Sequence, residues 1–214
     1  MKLYSYFRSS AAYRVRIALA LKNIEYDIIP VHLINNGGEH KLPEYAALNP
    51  QQLVPALQLD DSTVITQSLA ILEYLETIYP SPALLTGDAV QHAKIRAFCQ
   101  AIACDIHPLN NLRVLKYLSH QFAISDEQKS AWYEHWVVDG FDAIEQMLDD
   151  HSQFCFGNTP TMADCCLVPQ VYNTKRFDID LSKYPNIVRV FENCMALPAF
   201  ISASPEQQMD APKA

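Results

Sequence analysis

Lys2 to Tyr6 alternates in the manner of a short strand and is rich in aromatic side chains, whereas Val15, Ala18, Leu19 and Leu21 recur at helical spacing. The chain is therefore predicted to open with a strand running into a helix, with Phe7-Arg8-Ser9-Ser10-Ala11-Ala12 at the junction. Glu25 to Leu33 reads as a second strand through Tyr26, Ile28, Ile29 and Val31, and Asn35-Asn36-Gly37-Gly38 breaks it. Leu57 to Asp60 and Thr63 to Thr66 flank Asp60-Asp61-Ser62 as the arms of a hairpin. Gln67 to Ile78 then takes up helical spacing in Leu69, Leu72, Leu75 and Ile78. The order is β-α-β followed by β-β-α.

Tyr79-Pro80-Ser81-Pro82 stops that helix, and no strand pattern follows it. Asp88 to Cys104 and Leu109 to Ser119 read as helical, with Pro108 as a kink or break between them. Ser125 with Gln128 is a capping box opening a helix that runs to about Asp150, and Thr161-Met162-Ala163-Asp164 is a second one. The latter precedes the apolar run Cys165-Cys166-Leu167-Val168, so its helix is expected to be buried, with Pro169 bending it. Pro185 to Ala196 predicts a further helix begun by proline, and the polar Ser204 to Ala214 are expected to be loose. The predicted fold class is α/β plus all-α. A thioredoxin-like domain over residues 1–80 precedes an all-helical domain over residues 86–214.

Composition narrows the function. With 214 residues, half of them hydrophobic, the chain can bury one large core or two smaller ones. Its apolar runs fall far short of the ~20 residues that a membrane span needs. Met1-Lys2-Leu3 leads into a strand pattern instead of a signal peptide, so a cytoplasmic address is expected. Six cysteines lie in mostly apolar settings without CxxC pairs, which predicts buried, reduced thiols and no metal site. Sixteen basic against 24 acidic side chains give a net charge of −8, which argues against nucleic acid and anionic membranes as partners. An anionic substrate would need arginines placed locally.

The junction after the first strand is where a thioredoxin-like domain would carry CxxC for redox work, and here it carries Ser9-Ser10-Ala11-Ala12. A helix N-terminus presents unpaired N–H groups and the positive end of the macrodipole, so a serine there can assist in holding an anion or a thiolate; equally, Ser10 can simply cap the helix. Val54-Pro55 before the third strand reads either as an ordinary turn or as backbone offered to an extended peptide ligand. Gln67-Ser68 reads either as a cap or as a carboxylate site at the next helix.

Three segments together carry a resemblance: Ser9-Ser10 with Tyr13-Arg14-Val15-Arg16-Ile17-Ala18-Leu19, Asn49-Pro50-Gln51-Gln52-Leu53-Val54-Pro55, and Gln67-Ser68-Leu69-Ala70-Ile71. The chain resembles the zeta-class glutathione transferases. Asp105-Ile106-His107-Pro108-Leu109-Asn110-Asn111, Thr161 to Asp164 and Leu167-Val168-Pro169-Gln170-Val171 extend the likeness into the helical half. What the resemblance implies is glutathione as a recycled cofactor. Ser9 and Ser10 would hold its sulfur, and Val54 would pair with its cysteinyl backbone beside a cis Pro55. Gln67 and Ser68 would hold its γ-glutamyl carboxylate, and Gln52 and His107 belong to the same implied set. One departure is Ala11, where the class often has cysteine, so any reactive sulfur must arrive with glutathione.

The implied reaction is cis–trans isomerisation of a maleyl keto acid from the breakdown of tyrosine and phenylalanine, or of an aromatic acid such as gentisate. Its substrate carries two carboxylates and develops charge on a carbonyl oxygen, so arginines should converge on it. Arg8, Arg113 and Arg176 are the candidates, with Asn111 beside them; Arg8 and Arg176 join the serines as catalytic candidates. Arg14 and Arg16 are expected to lie on a helix face and bridge the two domains, and His107 reads equally as a structural histidine. Conjugation of glutathione to α-halo acids and other small electrophiles would use the same thiolate, and a binding scaffold without activity is a third reading. The class resemblance also implies a homodimer.

Overall fold

The structure is a computed structural model that describes residues 1–212. The chain folds as two compact units, one made of Met1–Leu84 together with Met195 onward, the other of Leu85–Cys194. In the first, β1 (Lys2–Ser5) leads to α1 (Ser10–Leu21), β2 (Asp27–Pro30), the short α2 (Pro43–Leu48), the hairpin β3 (Ala56–Gln58) and β4 (Val64–Thr66), and α3 (Ser68–Ile78). The sheet order is β2-β1-β3-β4, with β1 parallel to β2 and antiparallel to β3, and β3 antiparallel to β4. The β-α-β and β-β-α halves are as predicted. The second strand is shorter than the Glu25 to Leu33 run, and α2 had no periodic signal.

Helix α1 is the core of this unit. Val15, Ile17, Ala18 and Leu19 are fully buried, and so are Tyr13, Arg14 and Arg16. Burial of Val15, Ile17 and Leu19 contributes about 1.5–3 kcal/mol each. A helix wrapped on all sides carries no single apolar stripe.

In the second unit, α4 (Ala89–Gln100) begins with the Asp88 side chain accepting from the Gln91 N–H at 2.9 Å. It continues into a π-helical turn over Ala101–Ile106, where the sequence suggested a plain helix broken at Pro108. Then come α5 (Leu112–Gln121), α6 (Asp126–Met147), α7 (Met162–Arg176) and α8 (Pro185–Met195). α6 packs closely on the π turn: a Cβ on Gly140 would stand 2.3 Å from Ile106 Cδ1. The capping box of Ser125 and Gln128 forms as predicted. Buried Asp164 accepts from the Thr161 N–H at 2.7 Å, the Thr161 hydroxyl at 2.9 Å and the Cys155 N–H at 2.8 Å. Those bonds favour its charge, while burial pushes its pKa up. α7 is buried along most of its length and includes Pro169. Five cysteines are buried as expected, but Cys104, on the π turn, is exposed.

The end of the chain departs from expectation. A last helix, α9 (Pro198–Ala203), packs on α1, and the Phe7 N–H donates to Asp210 Oδ2 at 2.9 Å. Ala211 packs against the cluster of Tyr6, Phe7, Val31, Tyr45 and Val54. The segment from Ser204 is therefore docked on the first unit instead of loose, and the helical unit ends before residue 195. Lys213 and Ala214 lie outside the described residues. Arg14 and Arg16 are buried: Arg14 donates to Ser68, and Arg16 donates to Ser5, Tyr6, Phe7 and Ala203, all residues of the first unit.

Candidate active site

Strand register gathers three of the predicted segments. Ala56 pairs with Tyr4 on one side and with Thr66 on the other. The chain leaving β1 toward Ser9, the chain entering β3 through Val54-Pro55, and the chain leaving β4 into Gln67-Ser68 therefore all emerge from the same end of the sheet.

The first is the serine loop. Ser9, not Ser10, is the N-cap of α1, and its Oγ accepts from the Ala12 N–H at 3.2 Å. That bond uses a lone pair and leaves the hydroxyl hydrogen to donate. Ser10 is the first residue of α1 and is buried, whereas Ser9 is only half-buried. Arg16 holds this loop from beneath: it donates to Ser5 Oγ at 3.0 Å, the Tyr6 carbonyl at 3.4 Å and the Phe7 carbonyl at 3.0 Å. Burial lowers its pKa to about 10, which leaves it charged at neutral pH. Arg8 donates from Nε and Nη2 to the Tyr6 hydroxyl at 3.3 and 3.1 Å and lies 5.2 Å from the Phe7 ring centroid.

The second and third segments meet through side-chain amides. Val54-Pro55 is a cis peptide, and both residues are buried. Just before it, the Leu53 carbonyl accepts from the Tyr45 hydroxyl at 2.6 Å and from Asn49 Nδ2 at 2.7 Å. Burial pushes the Tyr45 phenol up to about 12. Gln52 is exposed with a positive φ of 53°, and Gln67, the N-cap of α3, has a φ of 69°. The Gln67 side chain does not cap α3; its Nε2 donates to Gln51 Oε1 at 3.0 Å. Ser68 is buried, and its Oγ accepts from Arg14 Nη1 at 3.2 Å.

The helical unit assembles its own candidates around α6. His107 Nε2 and Asn111 Nδ2 are 3.4 Å apart. Asn111 caps α5, accepting from the Arg113 N–H at 3.0 Å, and the Arg113 side chain is exposed. Asn110 Nδ2 donates to the Tyr133 carbonyl at 3.0 Å, and Trp132 Nε1 to the Leu109 carbonyl at 3.0 Å. Tyr133 stacks on Phe177 at 3.8 Å, and the exposed Arg176 guanidinium lies 5.0 Å from the Phe177 ring centroid. Burial raises the Tyr133 phenol to about 12, and the nearby Arg176 charge opposes the rise. The 107–113 segment and Arg176 are thus linked through Tyr133 and Phe177.

Sequence reasoning singled out neither Gln51 and Asn49, which shape the second segment, nor Asp210, which reaches the serine loop. It placed Arg14 and Arg16 on a helix face as bridges between domains, and did not foresee that they are buried within the core of α1. The one signal available was the placing of two arginines within the otherwise apolar Tyr13 to Leu21 run.

Residues 8–78 match the N-terminal domain of glutathione S-transferase, and residues 127–193 match its C-terminal domain. The chain is similar to a maleylacetoacetate isomerase of Pseudomonas aeruginosa, 50% identical over 214 residues and covering 100% of both chains. It is also similar to the holo structure of a maleyl pyruvate isomerase described as a bacterial zeta-class transferase, with a TM-score of 0.95, 46% identity and coverage of 99% and 100%. A maleylacetoacetate isomerase from Methylobacterium extorquens AM1, solved with bound malonate and glutathione, has a TM-score of 0.94 at 36% identity, with 100% of both chains covered. With both domains matched and the likeness extending over the full length, the chain belongs to the glutathione S-transferase family, zeta class.

Proposed function

We propose that this chain is a glutathione-dependent cis–trans isomerase that converts maleylacetoacetate, or the related maleylpyruvate, to the fumaryl isomer. The observation that carries the reading is Ser9: its oxygen is occupied as a helix cap while its hydrogen remains to donate at the N-terminus of α1. That is the arrangement a sulfur anion needs. Glutathione, when bound, supplies a thiolate that adds reversibly to the alkene carbon and leaves after rotation, so that it is not consumed.

The chain's own residues have separable tasks. Ser9 donates to the sulfur, and the α1 dipole favours its anionic form; buried Ser10 supports the same turn. Val54, beside cis Pro55, offers its backbone to the cysteinyl portion. Ser68 and the first turn of α3 receive the γ-glutamyl carboxylate, because the Gln67 side chain leaves that turn uncapped. Gln52 lies two residues before Val54 and Gln67 directly before Ser68, and with His107 they belong to the glutathione set that the class resemblance implies. Arg8, held by the Tyr6 phenol, takes a substrate carboxylate near the serines. Arg176, with Arg113 and Asn111, takes the second carboxylate and the charge that develops on the carbonyl oxygen.

No helix among the described residues is long and apolar enough to cross a membrane. The proposal extends to a cytoplasmic homodimer on the class resemblance, and light scattering of the purified protein checks the oligomeric state. A side-by-side kinetic comparison of maleylacetoacetate and maleylpyruvate with glutathione present tests the substrate. The larger kcat/KM identifies it, and no turnover of either overturns the reading.

A further inference from the structure

Arg14 is 2% exposed, and its guanidinium carries only donors. In its 3.2 Å bond with Ser68, the serine oxygen must therefore be the acceptor. A hydroxyl has one hydrogen. With its oxygen engaged from the interior by Arg14, that hydrogen is left to point elsewhere. Ser68 is the first residue of α3, where the backbone N–H groups of the opening turn need outside acceptors. The Gln67 side chain, bonded to Gln51, does not supply one. The hydroxyl and the helix amides together form one set of donors suited to a carboxylate.

We propose that Arg14 is a positioning residue. By donating to Ser68 from the core of α1, it fixes the serine hydroxyl as a donor toward the γ-glutamyl carboxylate and so selects thiols that carry that group. The inference rests on the glutathione reading and adds a source of specificity to it. Arg14 acts through Ser68 without touching the ligand, so its effect vanishes when Ser68 has no hydroxyl. A merely structural role would weaken every thiol alike.

The test is isomerase turnover supported by glutathione and by cysteinylglycine, which is glutathione without the γ-glutamyl group. Wild-type protein should prefer glutathione; equal rates with both thiols would overturn the inference and the carboxylate site together. Arg14→Met should lower the ratio of kcat/KM for glutathione over cysteinylglycine about tenfold, mainly through the glutathione KM. Ser68→Ala should lower it at least as much, and Arg14→Met in that background should lower it no further. Equal losses with both thiols for Arg14→Met, or additive losses in the double variant, overturn the proposal while leaving the glutathione reading intact. Should Arg14→Met not fold, Arg14→Lys keeps a buried cationic donor. Most of the preference for glutathione over cysteinylglycine is then expected to survive, and an equal drop with both thiols contradicts the proposal.

Discussion

Ser9 and Ser68 sit on backbone or side chains held by buried arginines of α1, whereas Arg113 and Arg176 stand exposed at helix ends of the second unit. In the first unit Arg16 alone bonds the carbonyls of Tyr6, Phe7 and Ala203, so the serine loop is set before any ligand arrives. In the second unit the packing fixes Tyr133 and Phe177, and the exposed guanidinium of Arg176 lies over the Phe177 ring. The contrast follows the chemistry. A cofactor that returns after each cycle is served by donors fixed in advance. On the proposed reading a dicarboxylate must enter and leave, and exposed arginines would let it do so. Arg8 is intermediate, half-buried and tied to the Tyr6 phenol.

The largest test of that contrast is stability. Arg16→Met removes every bond the guanidinium makes and leaves buried carbonyls without their donor, which should cost about 3–5 kcal/mol. Arg176→Met should stay within about 0.5 kcal/mol, as exposed substitutions do. Urea unfolding midpoints measure both, and comparable losses would break the distinction between the two regions.

Alkaline titration gives the next effect. Burial raises the phenols of Tyr45, Tyr133 and Tyr184 from 10.0 to about 12, with Asp142 adding to the rise at Tyr184. Each folded phenol keeps its proton where the unfolded chain has lost it, so stability should fall as pH rises from 10 to 12, by on the order of a few kcal/mol in all. Phenolate absorbance of the folded protein should show late titration. Arg176→Met should delay Tyr133 further, because the arginine charge favours its phenolate.

Activity then sharpens the division of labour. Ser9→Ala should cost roughly 2 kcal/mol, about 30-fold in rate, in isomerisation and also in conjugation of a neutral halide, since both need the thiolate. Arg8→Ala and Arg176→Ala should each cost a similar amount with the dicarboxylate yet barely affect the neutral halide. Equal losses on the two substrates would sink the substrate-clamp role of those arginines. Asp210→Asn should give a smaller change than the active-site variants. It keeps an acceptor for the Phe7 N–H but loses its charge, and a loss of about 1 kcal/mol in thermal unfolding is expected.

The elements that could be read from the sequence are those whose cause lies within a few residues. The Ser125 and Thr161 capping boxes join positions three apart, and the hairpin turns on adjacent residues. The serine loop could be placed at the mouth of a helix for the same reason, although the cap proved to be Ser9 and not Ser10. What was hidden is long-range. Asp210 reaches Phe7 across 203 positions, and Arg16 reaches Ala203 across 187. A buried arginine looks like a surface one until the carbonyls around it are known. The π turn at Ala101–Ile106 left the pattern helical on both sides and so was masked by it.

The central claim is that the reactive sulfur is not the protein's own, since Ala11 follows the two serines, but glutathione's, held at Ser9. The direct measurement follows the cis-diacid absorbance of the purified protein with and without glutathione while free thiol is assayed in parallel. The expected result is loss of the cis signal only with glutathione, at constant thiol concentration. Turnover without glutathione, or thiol consumed mole for mole with substrate, would contradict it.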